Sequence, residues 1–139
     1  MINLFVAGTP KAQPRPKAAR RGGFIQIYTP PTAKDWKDTV KAEFEKYKDT
    51  FPKHEALGIS LRFYFERPVS HLKKDGQLRK GINLNHVQKP DFDNLAKAVV
   101  DAMGDAKVWH DDCQIVTSNI SKEWSEYSGC YITVWKEGL

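Results

Sequence analysis

The chain has 139 residues, of which 28% are charged, with a mean hydropathy of −0.58 and a formal net charge of +5. This length fits a single domain with one core, and no stretch approaches the ~18 apolar residues that a membrane-spanning helix needs. Two cysteines, Cys113 and Cys130, are too few for a disulfide framework, and the N-terminal MINLFVAG has no basic leader, so we expect a soluble cytoplasmic protein with packed thiols.

Charge is distributed unevenly along the chain. Residues 1–34 contain six basic residues and no acidic one, and residues 67–90 contain six basic residues against one acid, Asp75. Basic clusters favour a polyanion such as nucleic acid as the partner, although solvated loops are often basic as well. We therefore take segment 8–23 and loop 67–90 as the candidate DNA-contacting parts of the chain.

The first elements in the chain are predicted to be strands around an extended segment. Residues 2–6 form a short, mainly apolar run with β-branched and aromatic residues, which is typical of a buried strand. Residues 8–17 contain three prolines and should be extended. Residues 20–23 indicate a turn, and residues 24–28 alternate as a second short strand. These two strands can pair as a hairpin with a basic tip.

A helix and a strand with one buried face follow. Thr32 is a candidate N-cap for a helix that runs to about residue 48. The helix is amphipathic, because four large side chains recur at helical spacing, and these are Trp36, Val40, Phe44 and Tyr47. Residues 58–66 alternate, with Ile59, Leu61, Phe63 and Phe65 on one face and Ser60, Arg62 and Tyr64 on the other, which predicts a strand with a buried face.

The second half of the chain begins with a long basic loop, residues 67–88. Its two histidines, His71 and His86, are candidate phosphate contacts or metal ligands, but solvated loop histidines are the favoured interpretation. Asp93 is the predicted N-cap of a second helix over residues 94–103 that ends at Gly104. Its predicted apolar face is made of Leu95, Ala98, Val99, Ala102 and Met103.

A closing hairpin completes the predicted elements, with strands over residues 113–123 and 130–136 and a turn over 127–129. Cys113 and Cys130 flank this hairpin and can be neighbours. These elements predict an α+β (mixed α/β) fold, a single domain over residues 1–139 with a mixed sheet of about five strands packed against two main helices.

Residues 89–115 contain six aspartates in an otherwise basic chain. Asp91 and Asp93 are one residue apart where an extended segment becomes a helix, and Asp111 and Asp112 follow just after that helix. We expect the two pairs to converge, because the chain can double back after about three helical turns. Oxygen ligands of this kind suit Mg²⁺. Lys97 lies one turn beyond Asp93 on the same face and can contact a phosphate.

Simpler interpretations of these residues remain open. Asp93 can be only an N-cap, Asp91 a partner of the helix dipole, and Asp111 and Asp112 a turn. Asp101 and Asp105 are expected to be solvated. Zinc and covalent chemistry fit less well, because the sequence has no C-x-x-C, G-x-S-x-G, H-E-x-x-H or Gly-rich phosphate loop. The residues alone therefore favour a metal-dependent phosphodiester site.

The stretch KPDFDNLAKAVVDAM followed by VWHDDCQI resembles the RusA family of Holliday junction resolvases, which are common in phages and prophages. The resemblance rests on K-P-D-x-D-N-L-x-K, the D-A after it, and W-x-D-D-x-Q-I at the right distance. The Pro-Arg-Pro segment and Tyr28-Thr-Pro also look like the N-terminal region of that family, so the resemblance spans nearly the whole chain.

The resemblance implies a homodimer with a mixed α/β fold that resolves four-way DNA junctions in recombination and repair, by paired nicks that depend on Mg²⁺, with Mn²⁺ as an alternative. It implies Asp91, Asp93 and Asp112 as metal ligands, with Asp111 as a supporting or alternative ligand, and Lys97 as the essential lysine. No membrane or small-molecule partner is expected. From charge we add five candidate DNA contacts, namely Lys11, Arg15, Arg20, Arg21 and Lys89.

Two other functions stay open at this point. One is a nuclease that acts on other branched or single-stranded DNA. The other is a non-catalytic module that binds junctions and whose acidic residues are structural.

Overall fold

The computed structural model describes residues 1–138, and Leu139 lies outside the described residues. Six strands and two α-helices follow one another along the chain, and short 3-10 turns occur at Glu45–Tyr47, Val69–His71 and Asp112–Gln114. In order, the elements are β1 (Ile2–Ala7), β2 (Lys17–Arg21), β3 (Phe24–Tyr28), α1 (Lys34–Phe44), β4 (Leu57–Glu66), α2 (Phe92–Asp105), β5 (Ile115–Ser125) and β6 (Gly129–Lys136).

Four of the strands form one mixed sheet in the order β1-β6-β4-β5. β4 is antiparallel to β6 and parallel to β5, and β1 is antiparallel to β6. β4 takes a central place because its inward side chains, Ile59, Leu61, Phe63 and Phe65, are all buried. A parallel neighbour requires a long crossover, and the chain between β4 and β5 supplies it through loop 67–90 and α2. The predicted α+β class is confirmed.

Both helices contribute to the same core. Trp36, Val40 and Phe44 of α1 are buried, and Tyr47 packs against them, as the helical spacing predicts. All five residues predicted for the apolar face of α2 are buried as well. α2 is therefore anchored along its length, and its two ends are held at fixed places on the surface of the domain.

The strand pairings differ from the predicted ones. Residues 2–6 do not pair with residues 24–28, because β1 lies beside β6. β3 instead pairs with β2, which was predicted as part of an extended segment and a turn. The basic tip of the predicted hairpin, at Arg20 and Arg21, is nevertheless present. Alternation within a strand reports which face is buried and does not report which strand lies beside it, so the sequence did not decide between these pairings.

The predicted closing hairpin is also wrong, because β4 lies between β5 and β6. The two cysteines do not form a pair: Cys113 is exposed, whereas Cys130 is buried in the core, and both thiols are free. Burial raises the pKa of Cys130 far above its usual value. The sheet thus has four strands, and a separate two-stranded sheet accounts for the other two.

Both helices begin at other residues than predicted. The N-cap position of α1 is Ala33, which is buried, and Thr32 is exposed. The N-cap position of α2 is Asp91, so that Asp93 lies in the first turn of the helix. None of the helices in residues 1–138 has the length and apolar character to cross a membrane.

Candidate active site

Asp91 and Asp93 lie together at the N-terminal end of α2. The Asp91 carbonyl accepts a hydrogen bond from the Leu95 amide at 3.1 Å, so the helix begins at Phe92. Both aspartates are exposed and line one open pocket. The Asp91 carboxylate makes no capping hydrogen bond, which leaves its oxygens available to a ligand. The partial positive charge of a helix N-terminus favours two carboxylates at this place.

Lys122 lies in the same pocket and was not singled out from the sequence. Its Nζ donates hydrogen bonds to the carbonyl oxygens of Gln88 and Pro90, both at 2.6 Å. These contacts tie the residues immediately before Asp91 to strand β5. Burial lowers the pKa of Lys122, and the charge of Asp91 partly opposes that shift. The available signal was the alternation of β5, which places Lys122 on the same side as Ile120 and Trp124.

Backbone contacts continue this attachment of the loop to β5. The His86 amide donates to the Lys122 carbonyl at 3.2 Å, and the Trp124 amide donates to the Leu84 carbonyl at 3.0 Å. The end of loop 67–90 therefore runs as a short antiparallel addition to the outer edge of the sheet. This addition, together with Lys122, determines where Asp91 lies.

His86 is buried and not solvated, so the favoured prediction for it is wrong, and His71 is half-buried. His86 is 6% exposed, its ring stacks on Phe65 with centroids 4.1 Å apart, and it also contacts Trp124 at 4.4 Å. His71 meets Trp124 edge-on at 5.1 Å. Burial lowers the pKa of His86, and the charge of Lys122 lowers it further. His86 is thus a neutral, aromatic side of the pocket that holds Asp91 and Asp93.

The second pair of aspartates lies at the other end of α2. Asp112 Oδ1 accepts a hydrogen bond from Trp109 Nε1 at 2.7 Å. The same oxygen lies so close to Gly104 that a Cβ there would be 2.9 Å from it. Gly104 is eleven residues beyond Asp93 on the same helix, which corresponds to about 16 Å along the axis.

Asp111 has a structural task. It caps the turn Asp112–Gln114 by accepting from the Cys113 amide at 2.9 Å, and this hydrogen bond lowers its pKa. Gln114 completes the capping box and is buried. Its amide also donates to the carbonyl oxygens of Pro52 and Glu55, each at 3.0 Å. Gln114 is therefore a supporting residue of this end, and the sequence motif marked it only as a matching letter.

Lys97 lies on the same helical face as Asp93, as predicted, but its ammonium points further along the helix. Lys97 Nζ is 3.5 Å from Asp101 Oδ1, and Lys37 of α1 is 3.9 Å from the other oxygen of Asp101. The expectation that Asp101 is solvated is wrong, since its side chain is 25% exposed between two lysines. Asp105 is exposed as expected.

The two aspartate pairs do not converge within one chain. Among residues 1–138, no group of three or more His, Cys, Asp or Glu side chains is close enough to hold a metal ion. The reason is that α2, which spans 14 residues and has Asp93 in its first turn, separates the two pairs. Asp91 and Asp93 still suit a magnesium ion, because Mg²⁺ is often bound through one or two carboxylates, with waters and substrate phosphates as its other ligands.

The candidate DNA contacts are all exposed, and two of them lie beside Asp91. Arg15 and Lys89 line a shallow pocket together with Asp91 and Asn94. The Gln13 amide donates to the Asn94 carbonyl at 2.9 Å, which attaches the N-terminal segment to α2. Arg20 and Arg21 lie at the tip of the β2–β3 hairpin, and Lys11 lies near Trp36 of α1.

Comparison with known proteins identifies the family of this chain. The chain is 30% identical over 128 residues to the uncharacterized protein YqaN of Bacillus subtilis (strain 168). The matched region covers 90% of this chain and 89% of that protein. The family model described as endodeoxyribonuclease RusA matches residues 7–135, which include both aspartate pairs, Lys97, Lys122 and the hairpin. The chain therefore belongs to the RusA family of endodeoxyribonucleases.

Proposed function

We propose that this protein resolves Holliday junctions as a homodimer, by paired nicks that depend on Mg²⁺ or, in its place, Mn²⁺. It acts on branched DNA in recombination or repair. The observation that carries the proposal is the pair of exposed carboxylates, Asp91 and Asp93, in one open pocket at the start of α2. Family membership supports the nuclease activity.

The residues around this pocket have separate tasks in the proposed reaction. Asp91 and Asp93 would hold the ion, and a bound Mg²⁺ would lower the pKa of a coordinated water and offset charge on the scissile phosphate. Water adds to phosphorus, one P–O bond of the strand breaks, and the departing oxygen takes up a proton. Lys97, whose ammonium lies 3.5 Å from Asp101 Oδ1, is on the same helical face as Asp93 and would supply positive charge to the phosphate. Arg15 and Lys89 bind phosphates next to the pocket.

A second copy of the chain would complete each site. α2 is about 21 Å long, so Asp112 of one chain is remote from Asp91 of the same chain. In a two-fold dimer, a contact between the N-terminal end of one α2 and the Asp112 end of the other is made twice. Asp112, with Asp111 as its neighbour, would thus join Asp91 and Asp93 of the partner copy. Two equal sites also suit a four-way junction, whose symmetry is close to two-fold.

Cleavage assays with Asp91→Asn test this function. We expect the wild type to nick a synthetic four-way junction with Mg²⁺ and to lose this activity without it. Asp91→Asn should reduce cleavage at least about a thousandfold, because the lost ligand carries the ion that stabilises the transition state, while junction affinity measured in EDTA changes little. Unchanged cleavage by the variant would remove Asp91 from the mechanism.

The same assay separates the other two functions when a fork, a flap and a linear duplex are included. A wild type that cuts linear duplex as fast as the junction would not be a resolvase. A wild type that binds junctions but nicks none of these substrates with either Mg²⁺ or Mn²⁺ would be a binding module with structural aspartates.

A further inference from the structure

The β2–β3 hairpin is a separate two-stranded sheet with an unusual surface. All five residues of β3 are exposed. Four of them are large and apolar, with exposed fractions of 66% for Phe24, 67% for Ile25, 74% for Ile27 and 41% for Tyr28. Side chains alternate between the two faces of a strand, so both faces of the hairpin carry apolar groups. A two-stranded hairpin is marginally stable by itself, and so a partner that covers these side chains would stabilise it.

The charge of the hairpin indicates what this partner is. Cations are interleaved with the apolar groups, because Lys17 lies opposite Tyr28, Arg20 opposite Ile25 and Arg21 opposite Phe24. No acidic residue occurs anywhere in residues 1–34. The same hairpin on a second copy would carry the same positive charge, so pairing of two hairpins is unfavourable. DNA offers both complements, since its phosphates attract the cations and its sugars and base faces accept apolar groups.

The dimensions of the hairpin also suit DNA. Five paired residues extend about 17 Å, and a two-stranded β-ribbon fits into the major groove of a duplex. The tip consists of Gly22 and Gly23, and Gly22 adopts a φ of +63° that permits a tight turn. Phe24 follows directly, so an exposed aromatic ring and two arginines, Arg20 and Arg21, lie at or beside the tip of the hairpin.

Given the proposed junction-cutting function, we propose that the β2–β3 hairpin is the element that recognises the branch point. Phe24 stacks on a base pair that is left open where the strands part, and Arg20 and Arg21 bind the phosphates on either side. In a continuous duplex every base pair is already stacked on both sides, so Phe24 has no partner there. The arginines make similar contacts in both substrates. The hairpin would thus add selectivity for branched DNA to the general attraction for phosphate.

Equilibrium binding in EDTA tests this role independently of cleavage. A fluorescent four-way junction and a linear duplex of the same sequence are titrated with the wild type, Phe24→Ala, Phe24→Trp and Arg20→Ala. We expect Phe24→Ala to weaken junction binding about tenfold, because one aromatic stack on a base is lost, and to change duplex binding less than about twofold. Phe24→Trp should restore junction binding. Arg20→Ala should weaken both complexes about equally and lower the salt dependence of each.

Tyr127→Ala is the matched control, since Tyr127 is a comparably exposed aromatic residue, at 53%, outside the hairpin. It should leave both affinities unchanged. Melting curves should show that Phe24→Ala is folded, because Phe24 lies on the surface. Equal losses for junction and duplex, or no loss for either, would overturn the role of Phe24. A halved mass of Phe24→Ala in light scattering would overturn it too, by identifying a second copy as the partner.

The two proposals fail in different ways. If the wild type prefers the junction and Phe24→Ala keeps that preference, only the role of the hairpin is wrong. If the wild type binds junction and duplex equally well, the hairpin does not select branched DNA and its role is wrong, whereas the proposed function fails only if linear duplex is also cut as fast as the junction.

Discussion

At the scale of single residues, Lys122 holds in place the chain segment that leads into Asp91. Its ammonium donates hydrogen bonds to two backbone carbonyls of the segment that ends at Asp91, and its side chain lines the pocket that also holds Asp93. Hydrogen bonds from a charged group contribute about 1.5–3 kcal/mol each, so the loss of this ammonium should release the segment. Lys122 is therefore a positioning residue for the two carboxylates.

We expect Lys122→Met to lower the rate of junction cleavage about tenfold or more, because a small displacement of positioning groups costs about this much. The concentration of Mg²⁺ at half-maximal rate should rise as well, whereas junction affinity in EDTA should change little. Lys122→Arg should recover part of the rate. Lys136→Met is the control, because Lys136 lies on another strand and pairs with Glu55 at 3.6 Å. A purely structural role would lower the melting temperature and leave the Mg²⁺ requirement unchanged.

Helix α2 acts as a rigid connection between two chemically different ends. Its apolar face is fully buried, so the helix cannot slide or rotate without loss of core packing. The N-terminal end presents two free carboxylates, and the C-terminal end places Gly104 against Asp112. The absence of a side chain at Gly104 is what lets Asp112 reach Trp109 Nε1.

Gly104→Ala separates helix stability from the placement of Asp112. Alanine is favoured over glycine in a helix by about 1 kcal/mol, so the melting temperature should be unchanged or slightly higher. The added Cβ would nevertheless displace the Asp112 carboxylate from Trp109. We expect cleavage to fall about tenfold, because the carboxylate proposed as a metal ligand is moved, and the assay is junction cleavage at several Mg²⁺ concentrations. Full activity in a variant with raised stability would exclude a need for Asp112 in this position.

At the scale of the whole molecule, the distance between the two aspartate pairs predicts shared sites. Each site would take Asp91 and Asp93 from one copy and Asp112 from the other. We therefore expect Asp93→Asn and Asp112→Asn to be inactive separately. Cleavage should recover when the two variants are mixed and refolded together. Half of the molecules would then be mixed dimers with one intact site and one doubly defective site.

The DNA product that the mixed dimers make shows whether each site is shared between two copies. One intact site per dimer should nick one strand of the junction without the matching second nick, which native and denaturing gels distinguish. If each site belonged to a single chain, the mixture would stay as inactive as its components. A mixture of Asp91→Asn with Asp93→Asn is the control, since both changes fall in the same half of the site and no intact site can form.

The sequence determined most of what is local. Apolar alternation in β4, the helical stripe of α1 and the apolar face of α2 were correctly predicted, because each depends on a short period of side chains that turn toward one core. The family was also evident in the motif around Asp91 and Asp112, since the chemistry of a site constrains residue types at fixed spacing.

Only the tertiary structure decided which of these pieces lie together. It placed β4 between β5 and β6, attached the end of the basic loop to β5 through Lys122, and buried His86 beside the pocket. It also placed Asp91 and Asp112 at opposite ends of one anchored helix. Strand order, loop attachment and the separation of the aspartates depend on contacts between residues remote in sequence. Such contacts are chosen by the packing of the whole core, which no local period records.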